Sequence, residues 1–317
     1  MAESREWVIP TGGERLDRVL VAVWSDLSRA RVQSLLGQGQ ITVDGGAAKA
    51  SDRPRAGAVV ALHLPDARPA EPSPQNLPLP ILHEDEHLMV VVKPAGMVVH
   101  PAPGHPDGTL VNALLHHADG LSGIGGVARP GIVHRLDVGT SGVMVVAKND
   151  VTHRGLTVQF SVHSVERRYF AMVHRVPHLD RGTLRSSLGR DPKDRLRMCS
   201  LPTGGRAAVT HWEVKSRGDR VALVECRLET GRTHQVRVHL SEAGHAIVGD
   251  RTYHRRDCIP TAAMREAVEA LSHPMLHAWL LSFTHPATGE RVRFTAPPPP
   301  DFYALCAAAN LTVPVVQ

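Results

Sequence analysis

A chain of 317 residues, at roughly 150 residues per domain, has room for two domains or for one large and one small one. Its 36 Lys+Arg stand against 31 Asp+Glu, a formal net charge of +5, and 42% hydrophobic with 21% charged residues excludes a disordered or fibrous chain. With 5 Phe, 4 Trp and 3 Tyr it is too poor in rings for a nucleic-acid platform built on many stacked aromatics.

The opening, Met1 to Trp24, carries Glu3, Arg5, Glu6, Glu14, Arg15, Asp17 and Arg18, so no apolar signal core is present. Leu16, Val19, Leu20 and Val23 recur at helical spacing, and a second helix is expected from the N-cap Ser28 through Ala30, Val32, Leu35 and Leu36 to Gly37. Ile41 to Gly46, ITVDGG, predicts a strand entering an Asp-Gly turn, and Gly57 to Leu64 a returning strand. Pro65 to Pro80 holds six prolines in sixteen residues, which predicts an extended, semi-rigid connector between a front module, 1–64, and a large domain, 81–317.

In the large domain, His87 to Lys93, Val143 to Lys148, Arg167 to Val173 and Val221 to Glu229 predict strands, the last by clean alternation of apolar and charged residues. Helices are expected over Leu110–His117, capped by Thr109, and from a Thr233 cap to Ala243. Strands dominate, so the expected class is α+β: a mixed, mostly antiparallel sheet domain preceded by a small α+β module. No run approaches the ~18–20 apolar residues that span a bilayer. Cys199, Cys226, Cys258 and Cys306 form no C-x-x-C, which fits neither a disulfide framework nor a cysteine zinc site and suggests a reducing, cytoplasmic compartment. The twenty histidines form no H-E-x-x-H set, so no metal is expected.

Chemistry concentrates in three segments. In RPGIVHRLDVGTSG, Arg129 to Gly142, Asp137 sits in a loop of small residues flanked by His134 and Arg135. It is either a reactive carboxylate with cationic company or the cap of a Thr-Ser-Gly turn. In LETGRTHQVRVHL, Leu228 to Leu240, Arg232 and the helix amides suggest an anion-friendly corner, and Arg237 lies beside the buried stripe, where a carboxylate partner is expected. From Arg181 to Arg206 there are seven basic residues and two acids, which accounts for the whole excess of charge. Such a segment is either a solvated hairpin face or a phosphate contact.

Lys93 to His117 (KPAGMVVHPAPGHPDGTLVNALLHH), the Arg129–Lys148 segment, LETGRTHQVRVHL with GHAIVGD, and LHAWLLSFTHPATGE resemble the large-ribosomal-RNA pseudouridine synthases of the RluA class, closest to the RluD type. The front module, with ERLDRVL, SRARVQSLL and GQGQITVDG, resembles the alpha-L RNA-binding module. The resemblance implies Asp137 as catalytic aspartate, Arg237 as its basic partner, and Tyr169 stacked on the target uracil. It further implies Arg135 in the space left by the flipped uridine and Leu276 in the pocket wall, and it needs no cofactor. Arg232, Arg190 and Arg197 are candidate RNA contacts, with Arg29 and Arg31 in the nearly neutral front module. Two positions depart from the family pattern: Val138-Gly139, where a basic and an acidic residue are common, and His273-Pro274-Met275, where an Arg often stands. The expected partner is ribosomal RNA or a pre-ribosomal particle, and the expected state a monomer. Another structured RNA as substrate, or a non-catalytic role in ribosome assembly, is the alternative.

Overall fold

The computed structural model describes residues 3–64, 72–102, 104–117, 131–194, 196–253 and 262–316. Arg129, Arg195, Cys258 and the first part of the Pro-rich stretch lie outside the described residues, as does the side chain of Arg31. The chain forms two compact units, Met1–Ala70 and Glu71–Gln317.

In the smaller unit, strands Glu3–Val8 (β1), Ile41–Val43 (β2), Gly46–Ala47 (β3) and Val59–Leu64 (β4) form one sheet in the order β1-β4-β2-β3, with helices Leu16–Val23 (α1) and Arg29–Gly37 (α2). Leu16 and Leu20 meet Val32, Leu35, Ile41, Val60 and Leu62 in a closed core. The Asp44-Gly45 turn has φ of 49° and 76°, the positive pair that a tight two-residue hairpin requires. β1 escapes a hydrophobic pattern because its first four residues, Glu3 to Glu6, are polar; backbone pairing with β4 along its whole length holds it. Asp17 of α1 is fully buried and accepts hydrogen bonds from Arg15 Nε (3.1 Å), Arg29 Nη2 (2.8 Å) and Gln33 Nε2 (2.9 Å). Arg29, whose side chain is half exposed, also pins α2 on α1 through its ion pair with Asp17.

The larger unit is built on a ten-stranded sheet. Its strands are Ile81–Glu84 (β5), Leu88–Lys93 (β6), Ser141–Ala147 (β7), Glu166–His174 (β8), Arg181–Arg190 (β9), Met198–Ser200 (β10), Arg206–Arg217 (β11), Val221–Leu228 (β12), Leu276–Thr284 (β13) and Arg291–Thr295 (β14). The order is β10-β9-β11-β12-β8-β13-β7-β6-β5, with β14 added to β13, and among these pairs only β7–β13 is parallel. Helices Leu110–His117 (α3), Asp150–Ser161 (α4), Gln235–Glu242 (α5), Ala262–Ala270 (α6) and Pro300–Ala308 (α7) complete the unit. The class is thus α+β with a large, mostly antiparallel sheet. β6, β7 and β8 are buried almost throughout, which explains their continuous apolar runs.

Sequence pattern misses α4, because Val151, Val158 and Val162 lie on its solvent side and blur the apolar stripe. Its start is set by Asn149, whose side chain accepts from Thr152 N at 2.9 Å. The second half of the Pro-rich stretch is not a free connector. Asn112 Nδ2 donates to Ser73 O (2.8 Å), Gly108 N donates to Gln75 Oε1 (2.8 Å), and Leu79 joins the core, so this stretch is strapped to α3.

Gly142 shows why the Thr-Ser-Gly run ends as it does. Its φ is 130°, and a Cβ there would fall 2.2 Å from Ala278 O at the β7–β13 junction. Gly142→Ala is expected to cost about 3 kcal/mol or more, because backbone on both sides must yield. Urea unfolding of the variant against the parent checks this.

Candidate active site

The loop between Ile132 and β7 carries Asp137, and its conformation decides between the two readings of that residue. The turn is closed by backbone, Thr140 N donating to Asp137 O at 3.0 Å, so the side chain is not its cap. The carboxylate faces Arg237 instead: Nη1 donates to Asp137 Oδ2 at 3.3 Å. Arg237 is gripped more firmly from its other edge by Asp250, with Nε to Oδ2 at 2.7 Å and Nη2 to Oδ1 at 3.0 Å. Both Arg237 and Asp250 are buried. Their hydrogen bonds, with the charges of Asp250 and Asp137, raise the Arg237 pKa above its ordinary value against the cost of burial.

A cavity of about 230 Å³ opens in front of this pair. Asp137, Tyr169, Arg237, Arg135, Arg232 and Leu276 all line it, although they come from separate stretches of chain. Tyr169 stands on β8, buried, and burial raises its phenol pKa further above neutrality, keeping the hydroxyl protonated. Leu276, at the start of β13, closes the floor, while Arg135 is exposed at the rim. Arg190 and Arg197 do not line the cavity; they belong to the β9–β10 hairpin.

The hairpin also divides the basic segment. Ser186 bonds His239 of α5 (2.9 Å), whereas Thr183 bonds His211 (2.9 Å) on the opposite face of the sheet. By alternation Arg181 and Arg185 share the Thr183 face, away from α5, and Arg190 shares the face of Ser186 and Leu188. The +5 excess is therefore not one continuous track.

Three local expectations need correction. α5 begins at Gln235, not at a Thr233 cap; His234 occupies the cap position in the left-handed region, φ 55°. The corner before α5 is closed by Gln235, whose Oε1 accepts from Arg232 N (3.0 Å) and Thr230 Oγ1 (2.8 Å) while Nε2 donates to Val209 O (3.0 Å). Arg232 Nε also donates to Ala207 O (3.0 Å), so the loop is tied, its helix amides form no open anion corner, and Arg232 reaches the cavity from a fixed position. Nor is His134 cationic company for Asp137. Its Nε2 accepts from Val145 N (3.1 Å), and burial pushes its pKa down to about 3.

Several site residues carry no local signal. Arg167, the basic residue two before Tyr169, is buried in the cavity wall; Nη2 donates to Glu229 O (3.0 Å), and its Nε has no hydrogen bond among the described residues. Gly231 makes room for it, since a Cβ there would fall 2.5 Å from Arg167 Nη1. Lys93 is fully buried under the Asp137 loop, its Nζ donating to Pro94 O (2.8 Å), Met97 O (2.8 Å) and Val138 O (3.3 Å). Burial lowers its pKa to about 7, opposed by the charge of Asp137. The two departures from the family pattern touch: a Cβ on Gly139 would fall 2.6 Å from Pro274 Cδ, so the small residue and the proline are fitted to each other.

His277, beneath the loop, donates from Nε2 to Ala296 O (3.0 Å) and accepts at Nδ1 from Ser141 Oγ (2.8 Å). Burial pushes its pKa down to about 4. The unfolded chain, near 6.5, then binds the proton that the folded protein refuses. Stability is expected to fall as pH drops from about 6.5 to about 4, by about 3 kcal/mol from this residue. Urea melts at several pH values check this, and His277→Gln should flatten that limb.

Known proteins similar to this chain fix its family. The RNA pseudouridylate synthase family matches residues 87–242. Ribosomal large subunit pseudouridine synthase D of Zymomonas mobilis is 47% identical over 297 residues, covering 92% of this chain and 93% of that one. The protein of the same name from Xylella fastidiosa is 42% identical over 311 residues, covering 96% and 92%. The solved structure of human RNA pseudouridylate synthase domain containing 1 superposes with a TM-score of 0.58 at 27% identity, over 73% of this chain and 89% of that one. With relatives this similar over most of its length, the chain belongs to the RNA pseudouridine synthases, isomerases that modify RNA.

Proposed function

We propose that this enzyme converts specific uridines of large-subunit ribosomal RNA to pseudouridine in the cytoplasm, acting as a monomer, with Asp137 as its catalytic carboxylate. The observation that carries the assignment is the Asp137–Arg237 pair facing a cavity walled by Tyr169 and Leu276. The ribosomal substrate is favoured by the names of the relatives from Zymomonas and Xylella.

The chemistry balances within the nucleotide. The N1–C1′ bond breaks, the uracil turns, C5 bonds C1′, and the proton lost from C5 is matched by one gained at N1. Asp137 acts on the sugar at C1′, on the uracil ring, or on the ribose proton beside C1′, and Arg237 aims that carboxylate. Tyr169 stacks on the uracil and, with Leu276, confines it after the bond breaks. Its protonated hydroxyl stands ready as a donor. Arg135 at the rim fills the space left by the flipped base. Arg232 at the cavity and Arg190 and Arg197 on the hairpin hold RNA phosphates, and the front unit adds a further RNA grip. No step requires a metal or cofactor to balance it.

The test is a transcriptome-wide pseudouridine map of cells with and without the gene. Loss confined to one or a few large-subunit sites is expected. Loss at transfer RNA sites would redirect the substrate, and an unchanged map would overturn the assignment.

A further inference from the structure

Tyr253 is a buried titratable group that the reaction leaves unused. It is 3% exposed and does not line the cavity, yet six contacts fix it. Asp250 Oδ1 accepts from its backbone N (3.2 Å), and Ser241 Oγ donates to its carbonyl (2.9 Å). Two guanidinium groups lie over its ring, Arg237 Cζ at 5.1 Å from the centroid and Arg197 Cζ at 5.2 Å. Its hydroxyl oxygen accepts from Met198 N (2.8 Å) at the start of β10 and reaches His234 Nδ1 at 2.8 Å. His234 is the cavity-lining residue held at φ 55° ahead of α5.

One side chain therefore joins the hairpin turn, Arg197 and Met198, to Arg237 and His234 at the reacting end. Arg197 sits on that turn with its buried Nε lacking a hydrogen bond among the described residues. Packing alone would be served by Phe; the hydroxyl is spent on two elements far apart in sequence.

Resting on the pseudouridine reading, we infer that Tyr253 is a positioning residue that couples RNA phosphate engagement at the Arg197 turn to the placement of Arg237, and through it of Asp137. RNA that fixes Arg197 in place over the Tyr253 ring steadies the same ring that backs Arg237, so the catalytic pair is held aligned when the hairpin is occupied.

The test is a double-mutant cycle with Tyr253→Phe and Arg197→Gln, read as kcat and KM on a ribosomal RNA fragment spanning the site found by the map. Tyr253→Phe should lower kcat about tenfold with KM nearly unchanged. Arg197→Gln should lower kcat as well as raise KM in the parent, and change only KM in the Tyr253→Phe background. A Tyr253 role confined to packing would lower the melting temperature and leave the two losses additive, which would overturn the inference. If Tyr253→Phe is unfolded at the assay temperature, Arg197→Gln alone decides: a loss in kcat supports the coupling, and a loss confined to KM overturns it. An inactive parent enzyme would instead indict the substrate assignment.

Discussion

Asp137→Ala is expected to abolish pseudouridine formation, lowering the single-turnover rate by about four orders of magnitude or more while leaving RNA affinity within a few-fold. The expectation follows from geometry. The carboxylate is on a backbone-closed turn, lines the cavity, and makes its ion pair with Arg237 at 3.3 Å without capping the turn. Its removal should not unfold the loop, which Lys93 and the Thr140–Asp137 backbone bond hold independently. Tritium release from C5-labelled uridine RNA measures the rate, and filter binding measures affinity. Wild-type rates in the Ala variant would defeat the assignment of Asp137. Asp137→Asn should behave alike, because the amide keeps the shape and loses the charge.

The second large effect concerns Asp250. Asp250→Ala removes both firm acceptors from Arg237 and leaves a buried guanidinium with Asp137 as its one remaining carboxylate among the described residues. Breaking a buried pair from one side costs about 3–5 kcal/mol, far above the value of an exposed pair. Asp250 also receives Thr252 N and Tyr253 N, so its loss loosens the segment that carries Tyr253. We expect lower stability in urea together with a lower kcat, because Arg237 will swing toward Asp137 and drag the carboxylate from its aim. Asp250→Asn, which keeps the Oδ1 acceptor, should recover part of the stability and less of the rate. Equal stability of the Ala variant and the parent would show that Arg237 needs no second carboxylate.

The same residues separate what is local from what is not. Apolar runs in β6, β7 and β8, alternation in β12, the Asp44-Gly45 turn and the small residues around Asp137 are written in neighbouring positions. Burial and backbone preference act over a few residues, so strands, the α+β class and the chemistry-bearing loop could be read directly. Polar β1 and the valine-studded α4 could not, because backbone pairing and an Asn149 cap hold them where side-chain periodicity is silent.

Partnership is different. Arg237 was legible as a half-buried cation wanting a carboxylate, and Asp137 as a carboxylate in a small-residue loop. That they meet, 100 positions apart, depends on β7, β8 and β13 lying side by side. Asp250 as the stronger partner, Lys93 beneath the loop, neutral His134, and the split of the basic hairpin between two faces were all decided by that topology. Composition counts charges, but only the tertiary structure fixes distance, burial and facing, on which the strength and even the ionisation of each charge depend.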